Sequence, residues 1–394
     1  MTKFIIDNGA YSAKWGCSTD ESPKLTPNYL TKSKNARETY VGSELDECKD
    51  FSGLFYQLPF QKGMLVNWDL ERQVWNQIFK KSAIDLAQTQ LIVTEPIFNF
   101  SHTQECLEEL VFEELGLDGL IRINAPNLTA YKYLKNNSKD FCLVVDSGYS
   151  FTHIAPFYRG NIILEGIRRI NMGGKHLTNY LKEIISYRQL MVMDETYVIN
   201  QVKEELCYVS TDFELDMKIA KLKGKENRIT RDYVLPDFAN LCKGFAKSQQ
   251  ESTGIPLDSE QIIRLNNERF SIPELLFHPS DIGLNEMGIS EAIVHSVESL
   301  SEEIRSDLYE NIVLMGGNAK FSGFNQRVFN DVRCLIPSKY KLNVSTENDC
   351  LGCAWQGGKK LAENETEFNE LIVSRKTYEE FGHSICKKKF DIIN

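Results

Sequence analysis

Two short apolar segments, each ending in an Asp-x-Gly turn, constrain the fold of this 394-residue chain more than any other feature. The first is Phe4–Gly9, which ends in Asp-Asn-Gly, and the second is Leu143–Gly148, which ends in Asp-Ser-Gly. A third apolar segment, Ile312–Gly317, ends in a glycine pair. Apolar runs closed by glycine are typical of buried strands that lead into tight turns. The repeat predicts two similar α/β halves that face a cleft.

Composition excludes several classes of protein. Hydrophobic residues make up 42% of the chain and charged residues 25%, as in ordinary globular proteins. The net charge of −10 argues against a broadly basic surface that coats nucleic acid. No apolar run approaches the roughly 18 residues of a membrane span, and the N-terminus lacks a secretory signal. We therefore expect a protein of the nucleus or cytosol, with its ten cysteines reduced.

Amphipathic segments between the strands predict helices. Apolar residues recur at helical spacing from Leu177 to Ile185, and Ser101 is expected to cap a helix over 102–115 that ends at Gly116. Further helices are expected after Asn67-Trp68-Asp69, through Val198, Val202, Leu206 and Val209, and over Gly323–Val332. The polar stretch Asn240–Glu260 predicts a surface loop or insertion.

The two Asp-x-Gly turns together could hold a phosphate chain and Mg²⁺. Asp7 and Asp146 would supply carboxylates to the hydrated metal, and Gly9 and Gly148 would let backbone N–H groups approach phosphate oxygens. Lys14 follows the first turn and could reach a phosphate as a point charge. The alternative is a pair of ordinary hairpin turns in which aspartate is only a turn former.

Two weaker signals accompany these turns. Gly316-Gly317 precedes a predicted helix and could let a flat purine approach the backbone, or the glycines could serve packing alone. His153, shortly after the second turn, is either a structural histidine or part of the cleft lining.

These and further motifs, in order and spacing, resemble actin over nearly the whole chain. The additional segments are Lys14-Trp15-Gly16, Gly63, Asn67-Trp68-Asp69, Thr152-His153, Leu206-Cys207-Tyr208, Asp212-Phe213-Glu214, Asn267-Glu268-Arg269-Phe270, Pro273-Glu274, Phe277, Pro279-Ser280 and Trp355 followed by Gly357-Gly358. The resemblance implies an α/β actin-like ATPase fold, RNase H-like and duplicated, with two lobes around a central nucleotide cleft. It also implies ATP or ADP with Mg²⁺ in that cleft, bound in part by Lys203 and Glu204, which match the residues that touch the ribose and purine.

The actin pattern implies four subdomains. Their expected bounds are 1–28, 59–136 and 353–394 for subdomain 1, 29–58 for a small subdomain 2 with a shortened loop, 137–172 and 268–352 for subdomain 3, and 173–267 for subdomain 4, which contains the insertion 240–260.

Within the superfamily, several segments are similar to the actin-related protein 6 family. They are Gly53–Tyr56, Pro59–Gly63, Asp146–His153, Lys182–Gln189 and Ala220–Gly224. This resemblance implies a nuclear structural subunit, found also in the cytoplasm, of a SWR/SRCAP-type complex that exchanges a core histone for its Z variant. The implied partners are a Swi/Snf-family remodelling ATPase, a zinc-finger HIT-type subunit, RuvB-like proteins and histones of the nucleosome.

Departures from the actin pattern fall at the cleft. Tyr11 replaces a glycine, Tyr149-Ser150 replaces an Asp-Gly pair, Leu351 replaces the lysine over the adenine, and Thr129 replaces the glutamine that orients the attacking water. A threonine lacks the amide, so we expect nucleotide binding with little or no hydrolysis. The alternative, from another class of function, is an actin-fold ATPase or small-molecule kinase with its own turnover.

Filament formation is not expected. The segment from Pro27 to Val41 is shorter than the actin loop that inserts into the neighbouring subunit. A third alternative is a filament-forming cytoskeletal actin, which sedimentation would identify. The insertion 240–260 and the basic run Lys221–Arg228 are instead expected to dock a partner.

Overall fold

A computed structural model describes residues 1–33, 38–48, 54–237, 241, 243–248, 252 and 260–391. Two six-stranded sheets form its framework. The first has the order β20-β10-β9-β1-β2-β3. Its strands are β1 (Thr2–Asn8), β2 (Ser12–Cys17), β3 (Lys24–Pro27), β9 (Thr89–Glu95), β10 (Gly119–Asn124) and β20 (Val373–Ser374).

The second sheet has the order β13-β12-β11-β18-β19, with β14 paired to β12. Its strands are β11 (Phe141–Ser147), β12 (Thr152–Tyr158), β13 (Asn161–Ile162), β14 (Arg168–Ile170), β18 (Ile312–Met315) and β19 (Val344–Thr346). In each sheet an antiparallel hairpin, β1–β2 or β11–β12, has its first strand paired in parallel with another strand, β9 or β18. This shared arrangement confirms two related α/β halves.

Smaller sheets extend both halves. They comprise β4 (Leu30–Ser33), β5 (Thr39–Val41) and β6 (Leu54–Gln57); β7 (Phe60–Gln61) and β8 (Met64–Leu65); and β15 (Arg231–Val234), β16 (Phe245–Ala246) and β17 (Ile262–Leu265). Of the expected insertion 240–260, the pairing of β16 with β15 is described, and most of the remainder lies outside the described residues.

Helices pack against the sheets. The α-helices are α1 (Trp68–Ser82), α2 (Ser101–Glu109), α3 (Ala125–Asn137), α4 (Gly174–Arg188), α5 (Thr196–Leu206), α6 (Phe213–Ala220), α7 (Glu268–Glu274), α8 (Ile289–Glu298), α9 (Glu302–Glu310), α10 (Phe324–Leu335), α11 (Cys353–Glu363), α12 (Glu365–Leu371), α13 (Arg375–Phe381) and α14 (His383–Phe390). Short 3₁₀ helices span Gly42–Glu47, Leu86–Gln88, Leu164–Gly166, Gly224–Glu226, Pro279–Ile282 and Gly317–Lys320.

Each sheet has its own core. In the first half, Phe4 and Ile6 of β1 pack with Trp75 of α1 and residues of β9. In the second half, Leu143 and Val145 of β11 pack with α4, α5 and α8. No helix in the described residues is long and apolar enough to cross a membrane.

A third buried cluster, in which Ala130 and Leu134 of α3 pack with Cys142 and Val144 of β11, joins the two halves. The two related lobes confirm the predicted actin-like α/β fold, while the exact subdomain bounds stay predictions.

The helix ends differ in detail from the sequence-based expectations. Asn67 caps α1 as predicted, because its side chain accepts the Leu70 N–H at 3.2 Å. The prediction that Ser101 caps the next helix is wrong. Ser101 is the first residue of α2, and the N-cap is Phe100, which makes no side-chain hydrogen bond. That helix continues beyond Glu109 as the π-helical turn Leu110–Glu114, where the widened turn keeps Leu110, Val111 and Phe112 in the core.

Two further helices have bounds that differ from the expected ones. The helix through Val198 ends at Leu206, so Val209 lies beyond it and is buried separately. The helix after the glycine pair begins at Phe324, with Gly323 as its N-cap, and runs to Leu335. The apolar spacing that predicted the first of these helices did not fix its end, because a buried loop residue such as Val209 carries the same signal as a buried helical one.

Candidate functional site

The two Asp-x-Gly turns converge on one cavity between the lobes. Its volume is about 730 Å³. All nine residues predicted to bind nucleotide or metal line it: Asp7, Gly9, Lys14, Asp146, Gly148, Lys203, Glu204, Gly316 and Gly317. The nine predicted residues thus share one cavity, and their binding of nucleotide or metal stays a prediction.

The first turn holds a fixed carboxylate. Asp7 lies opposite Lys14 in the β1–β2 ladder, which places the Lys14 Nζ 3.1 Å from the Asp7 Oδ2. The Thr94 hydroxyl, at the end of β9, donates to the other oxygen at 2.8 Å. Both side-chain oxygens of Asp7 are thus oriented, and Lys14 provides a positive charge beside them.

The buried side-chain amide of Asn28 supports this turn. The Asn28 Nδ2 donates to the Asn8 Oδ1 at 3.1 Å and to the Gly9 carbonyl at 3.2 Å. Beneath it, Glu71 accepts the Trp75 indole N–H at 3.0 Å. Burial raises the pKa of Glu71 to about 7, so the carboxyl carries a proton over much of the weakly acidic range. These contacts fix the backbone at the position where phosphate would approach.

The second turn presents a carboxyl whose protonation is perturbed. Burial raises the pKa of Asp146 to about 6, and the nearby negative charge of Asp7 adds to this effect. The Asn318 Nδ2 orders the turn by donating to the Gly148 carbonyl at 2.9 Å and to the Ser147 hydroxyl at 3.0 Å. A cation between the two aspartates would favour their ionised forms, which suits a hydrated Mg²⁺ ion.

Gly316 joins the end of β18 to the second turn. Its φ is +92°, and a Cβ at this position would lie 2.3 Å from the Ser147 carbonyl oxygen. Packing therefore requires glycine here, which favours the packing interpretation of this residue. Gly317 is more open, since a Cβ there would meet only Leu351, at 3.8 Å. Gly317 and Leu351 therefore leave space beside the backbone, and contact of a purine with them stays a prediction.

The amine of Lys203 is already bonded within the protein. Its Nζ donates to the Gly174 carbonyl at 3.2 Å, to the Thr178 hydroxyl at 2.9 Å and to the Asn200 Oδ1 at 2.9 Å. Burial lowers the pKa of Lys203 to about 8. Glu204 faces the same cavity and accepts the Asn200 amide at 2.7 Å. Contact of Lys203 and Glu204 with a ribose or base stays a prediction.

The residues that depart from the actin pattern divide into two groups. Tyr11, Tyr149 and Leu351 line the cavity. Thr129 does not: it lies on α3, is only 2% exposed, and its hydroxyl has no hydrogen-bond partner within the described chain. His153 is buried and borders the cavity, and burial lowers the pKa of its imidazole to about 3, so it is neutral.

Sequence reasoning missed the residues that orient the site. Thr94 could have been suspected, because Leu91–Glu95 is another apolar strand that ends in polar residues at the same sheet edge. Asn28, Asn200 and Asn318 belonged to no motif, and asparagine in a loop or helix has no distinctive signal in one sequence.

Gly63 marks a tight contact between the lobes. Its φ is +79°, and a Cβ there would lie 2.0 Å from the Phe151 ring of the second half. The ring is held by the Arg169 guanidinium, 4.5 Å from its centroid, and Arg169 also donates to the Lys62 carbonyl at 2.7 Å.

We expect Gly63→Ala to lower the free energy of unfolding by about 2–4 kcal/mol, the sum of left-handed strain and steric overlap. Gly160→Ala is the matched control, because Gly160 has φ +87° but no atom within 4 Å of a Cβ. Its expected cost is about 1 kcal/mol. Denaturant unfolding of both variants measures the difference; equal losses would contradict the tight contact.

Comparison with known proteins agrees with this architecture. The sequence profile of the Actin family matches residues 1–391. The chain is 41% identical over 390 residues to the Drosophila melanogaster protein named actin-related protein 6, covering 96% of this chain and 97% of the relative. It is 37% identical to actin-like protein ARP6 of Yarrowia lipolytica over 388 residues, with 98% and 97% covered. It is 34% identical over 420 residues to actin-related protein 6 of Oryza sativa subsp. japonica, with 98% of each covered. The chain therefore belongs to the actin family, in its actin-related protein 6 branch.

Proposed function

We propose that this protein is a structural subunit of a SWR/SRCAP-type chromatin-remodelling complex that exchanges a core histone for its Z variant. The support is its membership of the actin-related protein 6 branch, together with the replacements at Thr129 and Tyr149, which the resemblance to actin places at positions that serve hydrolysis. Its proposed location is the nucleus, and also the cytoplasm. Its proposed partners are the Swi/Snf-family ATPase, the zinc-finger HIT-type subunit, RuvB-like proteins and nucleosomal histones.

The cleft is proposed to hold ATP or ADP with Mg²⁺ as a structural ligand. Asp7 and Asp146 would hold the hydrated ion, Lys14 would contact a phosphate, and the backbone beside Gly9 and Gly148 would approach the phosphate oxygens. When bound, the ion would neutralise phosphate charge and polarise the phosphoryl group. The residues present fit such a ligand because two carboxylates, one ammonium and two glycine turns face one space.

One observation carries the proposal that turnover is lost. Thr129, which the resemblance to actin places at the water-orienting glutamine, is buried on α3 and does not line the cavity. The residues of α3 that line the cavity are Ala125 and Pro126, and neither has a side chain that could orient water. A threonine hydroxyl directed into the core cannot position an attacking water. Tyr149 stands where the actin pattern has a further aspartate, so Asp146 is the one carboxylate that the second turn keeps, and it is proposed to hold the metal ion. The protein would then bind nucleotide without acting as an ATPase or kinase.

A basic loop is proposed as a partner-binding surface. Lys221, Lys223, Lys225 and Arg228 are all exposed. Asn227 rigidifies the loop from within, because its Nδ2 donates to the Ala220 carbonyl at 3.1 Å and its Oδ1 accepts the Ile229 N–H at 3.0 Å. Exposed cations clustered on one loop, in a chain of net charge −10, favour docking of an acidic partner surface.

Co-purification tests the subunit role and its docking surface. The full-length protein should retain the proposed partner subunits from nuclear extract at physiological salt. Deletion of 240–260, or the combined change Lys221→Glu, Lys223→Glu and Lys225→Glu, should release most of them, since the docking charge is reversed. The combination Lys376→Glu, Lys387→Glu and Lys388→Glu, at exposed positions of α13 and α14, is the charge-matched control and should retain them. Unchanged recovery with the loop variants would refute this docking surface, and absence of remodelling subunits from the wild-type sample would refute the proposed function.

A further inference from the structure

Two tyrosines from opposite lobes meet across the mouth of the cleft. Tyr11 belongs to the turn between β1 and β2, and Tyr149 to the turn between β11 and β12. Their ring centroids are 4.9 Å apart, with an angle of 36° between the ring planes. Each half therefore contributes one aromatic ring to a direct contact between the two phosphate-binding turns.

A hydrogen bond reinforces this contact. The Asn200 Nδ2 on α5 donates to the Tyr11 hydroxyl at 3.0 Å. Asn200 is itself held in place, because its Oδ1 accepts from Lys203 at 2.9 Å and from Thr178 at 3.0 Å. The donor that meets Tyr11 is thus fixed in orientation by the second lobe, so little side-chain freedom is lost when the bond forms.

Further aromatic rings from both lobes surround this contact. Tyr11 packs against Tyr29, with ring centroids 5.8 Å apart, and Tyr29 packs edge-on against Tyr56 at 5.0 Å. Tyr197, at the start of α5, joins this cluster from the other lobe. Burial raises the pKa of Tyr149 to about 12, so its hydroxyl is neutral and its ring brings no charge into the contact.

We propose that Tyr11, Tyr149 and Asn200 form an interlobe clasp that closes the cleft and controls how fast a nucleotide enters and leaves. The inference rests on the proposed nucleotide site. The three residues connect the lobes directly, so opening the cleft requires the ring contact and the hydrogen bond to break. The clasp residues themselves need not touch the nucleotide.

Exchange kinetics of fluorescently labelled ADP with Mg²⁺, measured by stopped flow on the full-length protein, test the clasp. Tyr11→Phe keeps the ring and removes the hydroxyl acceptor, while Tyr149→Leu keeps apolar bulk and removes the aromatic ring. Release should be about tenfold faster in each variant, as expected for loss of one buried hydrogen bond or aromatic contact. The association rate should rise together with the release rate, so the Kd should change far less than either rate.

The outcomes separate the clasp from the nucleotide site. Unchanged release, or faster release with unchanged association, would overturn the clasp, because a lost contact to the ligand changes release alone. Failure of the wild-type protein to bind labelled ADP would overturn the nucleotide site as well. Tyr187→Ala is the control, since Tyr187 is 93% exposed on α4, and it should exchange at the wild-type rate.

Thermal unfolding tests the same contact independently of any ligand. Tyr11→Ala and Tyr149→Ala should each lower the Tm, and the double variant should lose clearly less than the sum of the two shifts. Additive shifts would show that the two rings are not energetically coupled and would overturn the clasp.

Discussion

Replacing Arg122 with methionine is expected to lower the free energy of unfolding by about 3–5 kcal/mol at neutral pH. Arg122 is only 1% exposed within β10, and its guanidinium lies 2.6 Å from the Glu95 Oε1 and 3.4 Å from the Glu108 Oε1. The variant would leave two buried carboxylates without their shared cation. Denaturant titration of both proteins measures the loss.

The pH dependence of this variant distinguishes lost charge from lost packing. Without Arg122, the two buried glutamates should bind protons more tightly in the folded than in the unfolded state, so the deficit should shrink as pH falls towards 5. Adding Glu95→Gln and Glu108→Gln to Arg122→Met should recover part of the stability at pH 7.5. A loss below about 1 kcal/mol, or a loss that does not change with pH, would contradict a buried ionic network.

Asp146→Asn and Asp7→Asn are expected to change stability in opposite directions. The folded-state pKa of Asp146 is raised to about 6, so its ionisation opposes folding, and that cost develops as pH rises from about 4 to 6. At pH 8 without metal, Asp146→Asn should therefore increase the free energy of unfolding by up to about 3 kcal/mol. Asp7 is bonded to Lys14 and Thr94, so Asp7→Asn should decrease it.

Both variants should bind Mg–nucleotide at least about 100-fold more weakly, since each removes one of two carboxylates. Thermal unfolding with and without metal chelator, and titration calorimetry with Mg–ADP, measure the two effects. In the wild type, Mg–ADP affinity should rise between pH 5 and 7 as Asp146 ionises. A destabilised Asp146→Asn variant would contradict the assignment of Asp146 as a buried, electrostatically unfavourable carboxylate.

The strand-end pattern predicted that the two aspartates face one cavity, and they do so because the fold brings these strand ends together. Asp7 and Asp146 end equivalent strands of two related sheets, so their convergence follows from the duplicated pattern.

The buried ion pair of Arg122 is a different case. A charge inside the apolar run Leu120–Ile123 signals a buried ion pair, but its partners, Glu95 and Glu108, lie on other elements. A single sequence does not connect them.

Side-chain direction was the part that sequence could not supply. Tyr11 was recognised as unusual, but nothing in the sequence showed that it meets Tyr149 and Asn200 across the cleft. Lys203 lies at the predicted site, but its amine bonds to Gly174, Thr178 and Asn200. Such choices depend on competition among neighbouring donors and acceptors, which tertiary packing decides.

The fate of ATP bound to the purified protein tests the central claim most directly. Protein mixed with a stoichiometric amount of γ-labelled ATP and Mg²⁺ is separated from free nucleotide, and the bound nucleotide is identified by chromatography over time. We predict that ATP remains bound and intact, with phosphate release no faster than in buffer. Phosphate release above that background in the wild type, abolished by Asp146→Asn, would contradict a nucleotide site that has lost hydrolysis.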